Sequence, residues 1–255
     1  HYLRLYDAAT ATRPDLLVAN SRYVARRIWK TYRRRAAVVH PPVDVESFAL
    51  QREKEDYYVT VSRLVPYKRV ELLVEAFGRM PERELIIIGG GTELEHLRAK
   101  APSNVRLLGH VPQETLRRHL QSARAFVYAA TEDFGIAPVE AQACGTPVIA
   151  YGRGGVLETV SENETGLFFD EQHPEAVREA VERFEAARFD PEPIRRHAES
   201  FSAERFRERF AALLHEARDQ FQEKGGVALP TGPPTRSRSE PAPREAGEHP
   251  SGAPF

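Results

Sequence analysis

The sequence predicts an α/β protein built on a doubly wound, Rossmann-like parallel sheet. Short β-rich runs recur along it: 57-YYVTVS, 85-LIIIG, 105-VRLLG, 125-AFVYAA, 147-PVIAY and 167-LFF. They lie about 20 residues apart, which leaves room for one crossover helix between each pair. The segments between them carry helical periodicity. Residues 69–79, RVELLVEAFGR, place Val70, Leu73, Val74 and Phe77 on one face, and 174–187 and 203–222 bear similar stripes.

Taken from the amino terminus, the first 42 residues fit this unit less cleanly. Here 16-LLVANS reads as a strand, and Ser21 is placed to cap a helix over 22-RYVARRIWKTYRRR. A short strand, 37-AVVH, follows, and 41-PPVD breaks the chain. Residues 1–42 therefore read as the tail end of another αβ domain, with a hinge near Pro41–Pro42. Residues 43–200 read as the Rossmann-like domain and 201–224 as a C-terminal helix. Residues 225–255 are rich in Pro, Gly and Ser with mixed charge and almost nothing to bury, so a disordered tail is expected there. Because the chain opens on His1 in mid-pattern, we expect a fragment of a longer protein.

Composition narrows the function classes. With 255 residues, 41% hydrophobic, the chain can bury a core for one or two domains. A net charge of −1 gives no reason to expect a polyanionic partner. The single cysteine, Cys144, excludes an internal disulfide, fits a reducing compartment and reads as a small packed residue. No run approaches the roughly 18 apolar residues of a membrane-spanning helix, and no signal-peptide pattern precedes the first strand. No His, Cys or Asp cluster has metal-ligand spacing, and His40, His110 and His119 read as turn or surface residues. Trp29 and Tyr32 read as packing.

Strands of a parallel sheet all end at one edge, where ligands bind. Three unusual loops fall there. In 63-RLVPYK, Arg63 and Lys68 bracket a proline turn. Gly89–Gly90–Gly91 allow close approach of a backbone to a ligand. The third is 131-TEDFGIAPVE, with Pro138 suited to a first helical position and Glu140 in the first turn. The open N–H groups of such a helix, with two cations beside them, suit a pyrophosphate. Glu140 could accept bonds from vicinal hydroxyls, and Glu132 lies on the loop before the helix.

Residues 15–222 resemble the nucleotide-sugar-binding half of the retaining glycosyltransferases of family four, which have the GT-B fold. The resemblance rests on EDFGIAPVE followed by ACGTPVIA and GGVLE. ARR at 25–27 and SRLVPYKR at 62–69 add a likeness to bacterial mannosyltransferases that build lipopolysaccharide and exopolysaccharide from GDP-mannose. The resemblance implies that this chain is the C-terminal, donor-binding half. Arg63 and Lys68 would hold the diphosphate, Glu140 the ribose, and Glu132 would face the sugar. The backbone of Phe134, Gly135 and Ile136 would contact sugar or phosphate. Gly89, Gly90 and Gly91 would border the nucleotide, and His110 and Val111 would edge the base. Relatives often have G-D-G at 89–91, so no side-chain role carries over there.

The implied partners are a nucleotide-sugar donor, GDP-mannose or another, and a saccharide or lipid-linked acceptor, with no cofactor and no metal. The implied setting is cytoplasmic, with a peripheral contact to the inner face of the plasma membrane left open. Alternatives within reach are a sugar-nucleotide epimerase, a binding module without activity, and a retaining glycosidase using Glu132 and Glu140. The last has no use for two cations and a glycine loop. The basic run Arg22, Arg26, Arg27, Lys30 and Arg33–Arg35 lacks the aromatic platform of a nucleic-acid module, so no nucleic acid is expected.

Overall fold

The computed structural model describes residues 2–227, so the expected disordered tail falls, from residue 228 onward, outside the described residues. The amino-terminal segment opens with α1 (Tyr2–Thr10). Strands β1 (Val18–Ala19) and β2 (Ala37–Val38) then pair in parallel around α2 (Arg22–Tyr32). Ser21 caps α2 as its chemistry predicts, its side chain accepting from Val24 N–H at 3.0 Å. The helix is shorter than the run 22–35. Arg33 turns left-handed at φ 54°, its N–H closing on the Trp29 carbonyl, and the Arg34 guanidinium donates back to the carbonyls of Ala11 and Asp15.

Six further strands form one parallel sheet: β3 (Tyr57–Val61), β4 (Glu84–Ile88), β5 (Val105–Gly109), β6 (Ala125–Tyr128), β7 (Val148–Tyr151) and β8 (Gly166–Phe169). Their order is β5-β4-β3-β6-β7-β8, with every pairing parallel. All six coincide with the β-rich runs, because a strand covered on both faces must be apolar throughout. Alternate residues feed two core layers. Val59, Phe126 and Val148 pack with α6 (Ile136–Ala143) and α9 (Pro191–Glu199). Tyr58, Val127 and Ile149 pack on the opposite face with α3 (Val70–Gly78) and α8 (Pro174–Ala186). The predicted stripe of α3 is fully inside, with Val70, Leu73, Val74 and Phe77 all buried. Helices α4 (Leu94–Lys100), α5 (Gln113–Ser122), α7 (Val156–Thr159) and α10 (Ala203–Lys224) complete the unit.

The strand order reverses once. From β3 the chain winds outward to β5, then returns to the other side of β3 with β6. In such sheets the crevice lies at that reversal, outside the carboxyl ends of the two neighbouring strands.

Burial decides which apolar residues matter for stability. Phe77 is fully buried, whereas Phe221 on α10 is half exposed. Phe77→Ala should cost about 3–5 kcal/mol and Phe221→Ala within about 0.5 kcal/mol of nothing. Denaturant unfolding of both variants checks this.

Candidate functional site

The loops leaving β3 and β6 meet at the reversal. After β3, a single 3₁₀ turn, Pro66–Lys68, presents Lys68. Lys68 Nζ donates to Glu132 Oε1, from the loop after β6, and both side chains are largely covered. The Tyr67 ring lies 5.3 Å from Nζ. Tyr128, the last residue of β6, is buried beneath them. Burial, and then the neighbouring Glu132 carboxylate, push its hydroxyl well above the usual phenol range, which leaves it a hydrogen-bond donor. A cavity of about 500 Å³ opens here, walled by Lys68, Tyr128, Glu132 and Phe134–Ala137, with Asn20 and Pro41 from the amino-terminal segment opposite.

The loop carrying Glu132 is locked to the loop after β7. Glu132 bridges Gly154, and Gly155 N–H donates to the Glu132 carbonyl at 2.7 Å. A Cβ on Gly155 would stand 2.3 Å from the Asp133 carbonyl oxygen, so only glycine lets the two backbones meet. The triple glycine is occupied in the same way. A Cβ on Gly89 would lie 2.0 Å from the Ser62 carbonyl oxygen and one on Gly91 2.2 Å from that of Leu64. Leu64 N–H donates to the Gly90 carbonyl at 2.9 Å, and the His110 ring covers Gly90. The glycines thus admit the neighbouring loop, which carries Arg63 and Lys68.

Helix α6 begins two residues earlier than the sequence suggests. Gly135 adopts φ 91° and serves as N-cap, so Ile136 is the first helical residue, Pro138 the third, and Glu140 belongs to the second turn. The left-handed cap supplies the reversal that Pro138 was expected to begin. Among the described residues no side chain caps this amino end, and Gly135, Ile136 and Ala137 line the cavity. Unpaired N–H groups and the helix dipole make it an anion-attracting end. Glu140 is half buried one turn further along. Burial, and secondly Asp44, raise its carboxyl above the usual range, and no hydrogen-bond donor faces it among the described residues.

The structure therefore brings Lys68, Glu132, Phe134, Gly135 and Ile136 to one cavity. Arg63 is exposed at the start of the same loop, and Gly89–Gly91, His110, Val111 and Glu140 do not line that cavity. Cys144 is buried, its thiol pushed up to about 12 by burial, in keeping with a packed residue. Tyr128 and Asn20 were missed by the sequence reading, although both stand at carboxyl ends of strands, where a ligand site was expected. A second cavity, about 380 Å³, is lined by Val65, Pro66 and Arg69 of the loop after β3 together with residues of α3 and α4. Two of its charged wall residues are already paired, Arg79 with Glu175 and Glu71 with Lys100. Among the described residues no group of three His, Cys, Asp or Glu is placed to hold a metal ion, and no helix is long and apolar enough to cross a membrane.

Comparison with known proteins identifies the family of this fold. The family model described as Glycosyl transferases group 1 matches residues 42–205. The chain is 34% identical over 199 residues to a GDP-mannose-dependent alpha-(1-6)-phosphatidylinositol monomannoside mannosyltransferase of Mycolicibacterium smegmatis, covering 66% of this chain and 52% of that protein. It is 32% identical over 250 residues to a D-inositol 3-phosphate glycosyltransferase of Geodermatophilus obscurus, covering 85% and 56% respectively. The chain spans about half the length of the curated relatives it matches. In fold it is similar to Anabaena Alr3699/HepE, solved with UDP and glucose, at a TM-score of 0.71 and 18% identity, covering 83% of this chain and 66% of that one.

The glycine contacts at the rim can be tested directly. Gly155→Ala should destabilise the fold by about 1–3 kcal/mol through overpacking. Gly78→Ala, whose Cβ would meet nothing closer than 3.4 Å, should be neutral or stabilising. Thermal unfolding of the two variants separates these outcomes.

Proposed function

This chain belongs to the group 1 glycosyl transferases, and we propose that it is the donor-binding part of an enzyme that moves a sugar, mannose foremost, from a nucleoside diphosphate to a saccharide or lipid-linked acceptor with retention. The observation that carries this reading is the convergence, at one cavity, of Lys68, Glu132 and the uncapped amino end of α6. The printed names of GDP-mannose-dependent relatives support the choice of donor.

On this reading the bond between the anomeric carbon and the phosphate oxygen breaks, leaving cationic character on the sugar and negative charge on the diphosphate. Lys68 and the α6 amides are already oriented where that negative charge develops, so little reorganisation is needed. Arg63, on the same loop, adds a planar fork for phosphate oxygens. The acceptor hydroxyl approaches on the leaving-group side and yields its proton to the departing phosphate oxygen, which retains the anomeric configuration. Glu132 faces the sugar, where its carboxylate stabilises the cationic character. Glu140 suits the ribose diol, because two hydroxyl donors would satisfy a desolvated carboxylate that lacks protein donors. The reading calls on no cofactor and places the reaction in the cytoplasm, with a lipid-linked acceptor met at the membrane's inner face.

Titration with GDP and GDP-mannose tests the assignment. Lys68→Ala and Arg63→Ala should each weaken GDP binding about tenfold to a hundredfold, the worth of one charge-assisted bond. Glu140→Ala should weaken GDP and GDP-mannose alike. Glu132→Ala should leave GDP affinity unchanged or raised, since it removes the anion that competes for Lys68. Undiminished GDP affinity in both cation variants would place the phosphates elsewhere.

A further inference from the structure

Glu158 stands outside the crevice, yet its side chain is only 4% exposed. Its two oxygens accept from the backbone N–H groups of Arg22 at 2.9 Å and Tyr23 at 3.0 Å, and His40 Nε2 lies 3.0 Å from Oε2. With Ser21 serving Val24 N–H, the opening turn of α2 is capped largely by a carboxylate on a distant helix. Burial alone would raise that carboxyl, but the bonds from His40, Arg22 and Tyr23 outweigh it and hold the group below its usual range. A buried carboxylate this fully partnered fixes its partners firmly, because displacing any of them strands a charge.

Both ends of this clamp lead to the crevice. Along the backbone, Glu158 N–H bonds the Gly155 carbonyl, and Gly155 N–H bonds the Glu132 carbonyl. Across the clamp, the His40 ring lies 5.5 Å from Phe134 and 5.4 Å from Phe201. Arg27, further along α2, pairs with Asp133 at 2.5 Å. The two clamped segments, Arg22–Tyr23 and His40, sit next to Asn20 and Pro41, the residues that form the far wall of the cavity.

We propose that Glu158 is a positioning residue of the crevice: it clamps the amino end of α2 and His40 to the loop bearing Glu132 and Phe134, and so sets the wall that Asn20 and Pro41 present to a ligand. Its effect on nucleotide binding rests on the reading given under Proposed function; its effect on the loop does not. A purely local cap would stabilise α2 and leave the crevice loop indifferent.

Two measurements on this chain decide between these. In the ligand-free protein, hydrogen exchange of segment 131–137 should quicken several-fold in Glu158→Ala, together with that of 22–24, while strand β4 exchanges as in the parent. Glu158→Gln, which keeps an acceptor oxygen, should restore part of the protection. Calorimetry with GDP should then show Kd raised about tenfold in Glu158→Ala, the size expected from one lost charge-assisted cap, and less in Glu158→Gln. Exchange of 131–137 identical to the parent overturns the proposal, whatever happens to α2. Should Glu158→Ala fail to fold, His40→Ala carries the same comparison: faster exchange at 131–137 supports the coupling, and none refutes it. If the parent itself shows no GDP binding, the donor reading falls while the exchange result still judges the clamp.

Discussion

The Lys68–Glu132 contact spans the one place in the sheet where the winding reverses, and the crevice is organised around it. It exists because β3 and β6, separated in sequence by two other strands, are neighbours in space. At an effective dielectric near 20, opposite charges 4 Å apart attract by about 4 kcal/mol. Desolvating two largely covered side chains cancels much of that. The pair therefore contributes less to net stability than to geometry. It holds two loops from different halves of the sheet at a fixed separation and leaves a cation where an anionic ligand can exchange with a carboxylate.

The two glutamates of the same short segment show how surroundings divide one residue type into two chemistries. Glu132 is matched by a lysine and a phenol hydroxyl. Glu140, eight residues on, faces burial and the like charge of Asp44, which together favour its neutral form. A ligand offering hydroxyl donors relieves the second carboxylate. On the proposed reading, a ligand with a developing positive charge would engage the first.

Much of this was legible in the sequence, for physical reasons that differ by element. Strands covered on both faces must be apolar without interruption, so 85-LIIIG and 125-AFVYAA announce themselves. Ser21 is legible because a hydroxyl before a helical pattern has one obvious use. The start of α6 was misplaced because proline's preference for a first turn is a local statistic, whereas the φ of 91° at Gly135 is imposed by the loop it leaves. Gly89–Gly91 read as a ligand loop from composition, but their close contacts are with Ser62 and Leu64, which pattern alone cannot reveal. Glu158 was quoted only as part of GGVLE, and its partners lie some 135 residues away, beyond any local signal.

The rim of the crevice has a thermodynamic consequence. Gly91 against Leu64 and Gly155 against Asp133 are backbone packed directly on backbone, with no side chain between to change rotamer. Loops joined in this way have few alternative arrangements close in energy. The conformational entropy of ordering them is lost when the chain folds, not when a ligand arrives. On the proposed reading, a small polar ligand would meet walls that its own contacts need not first organise.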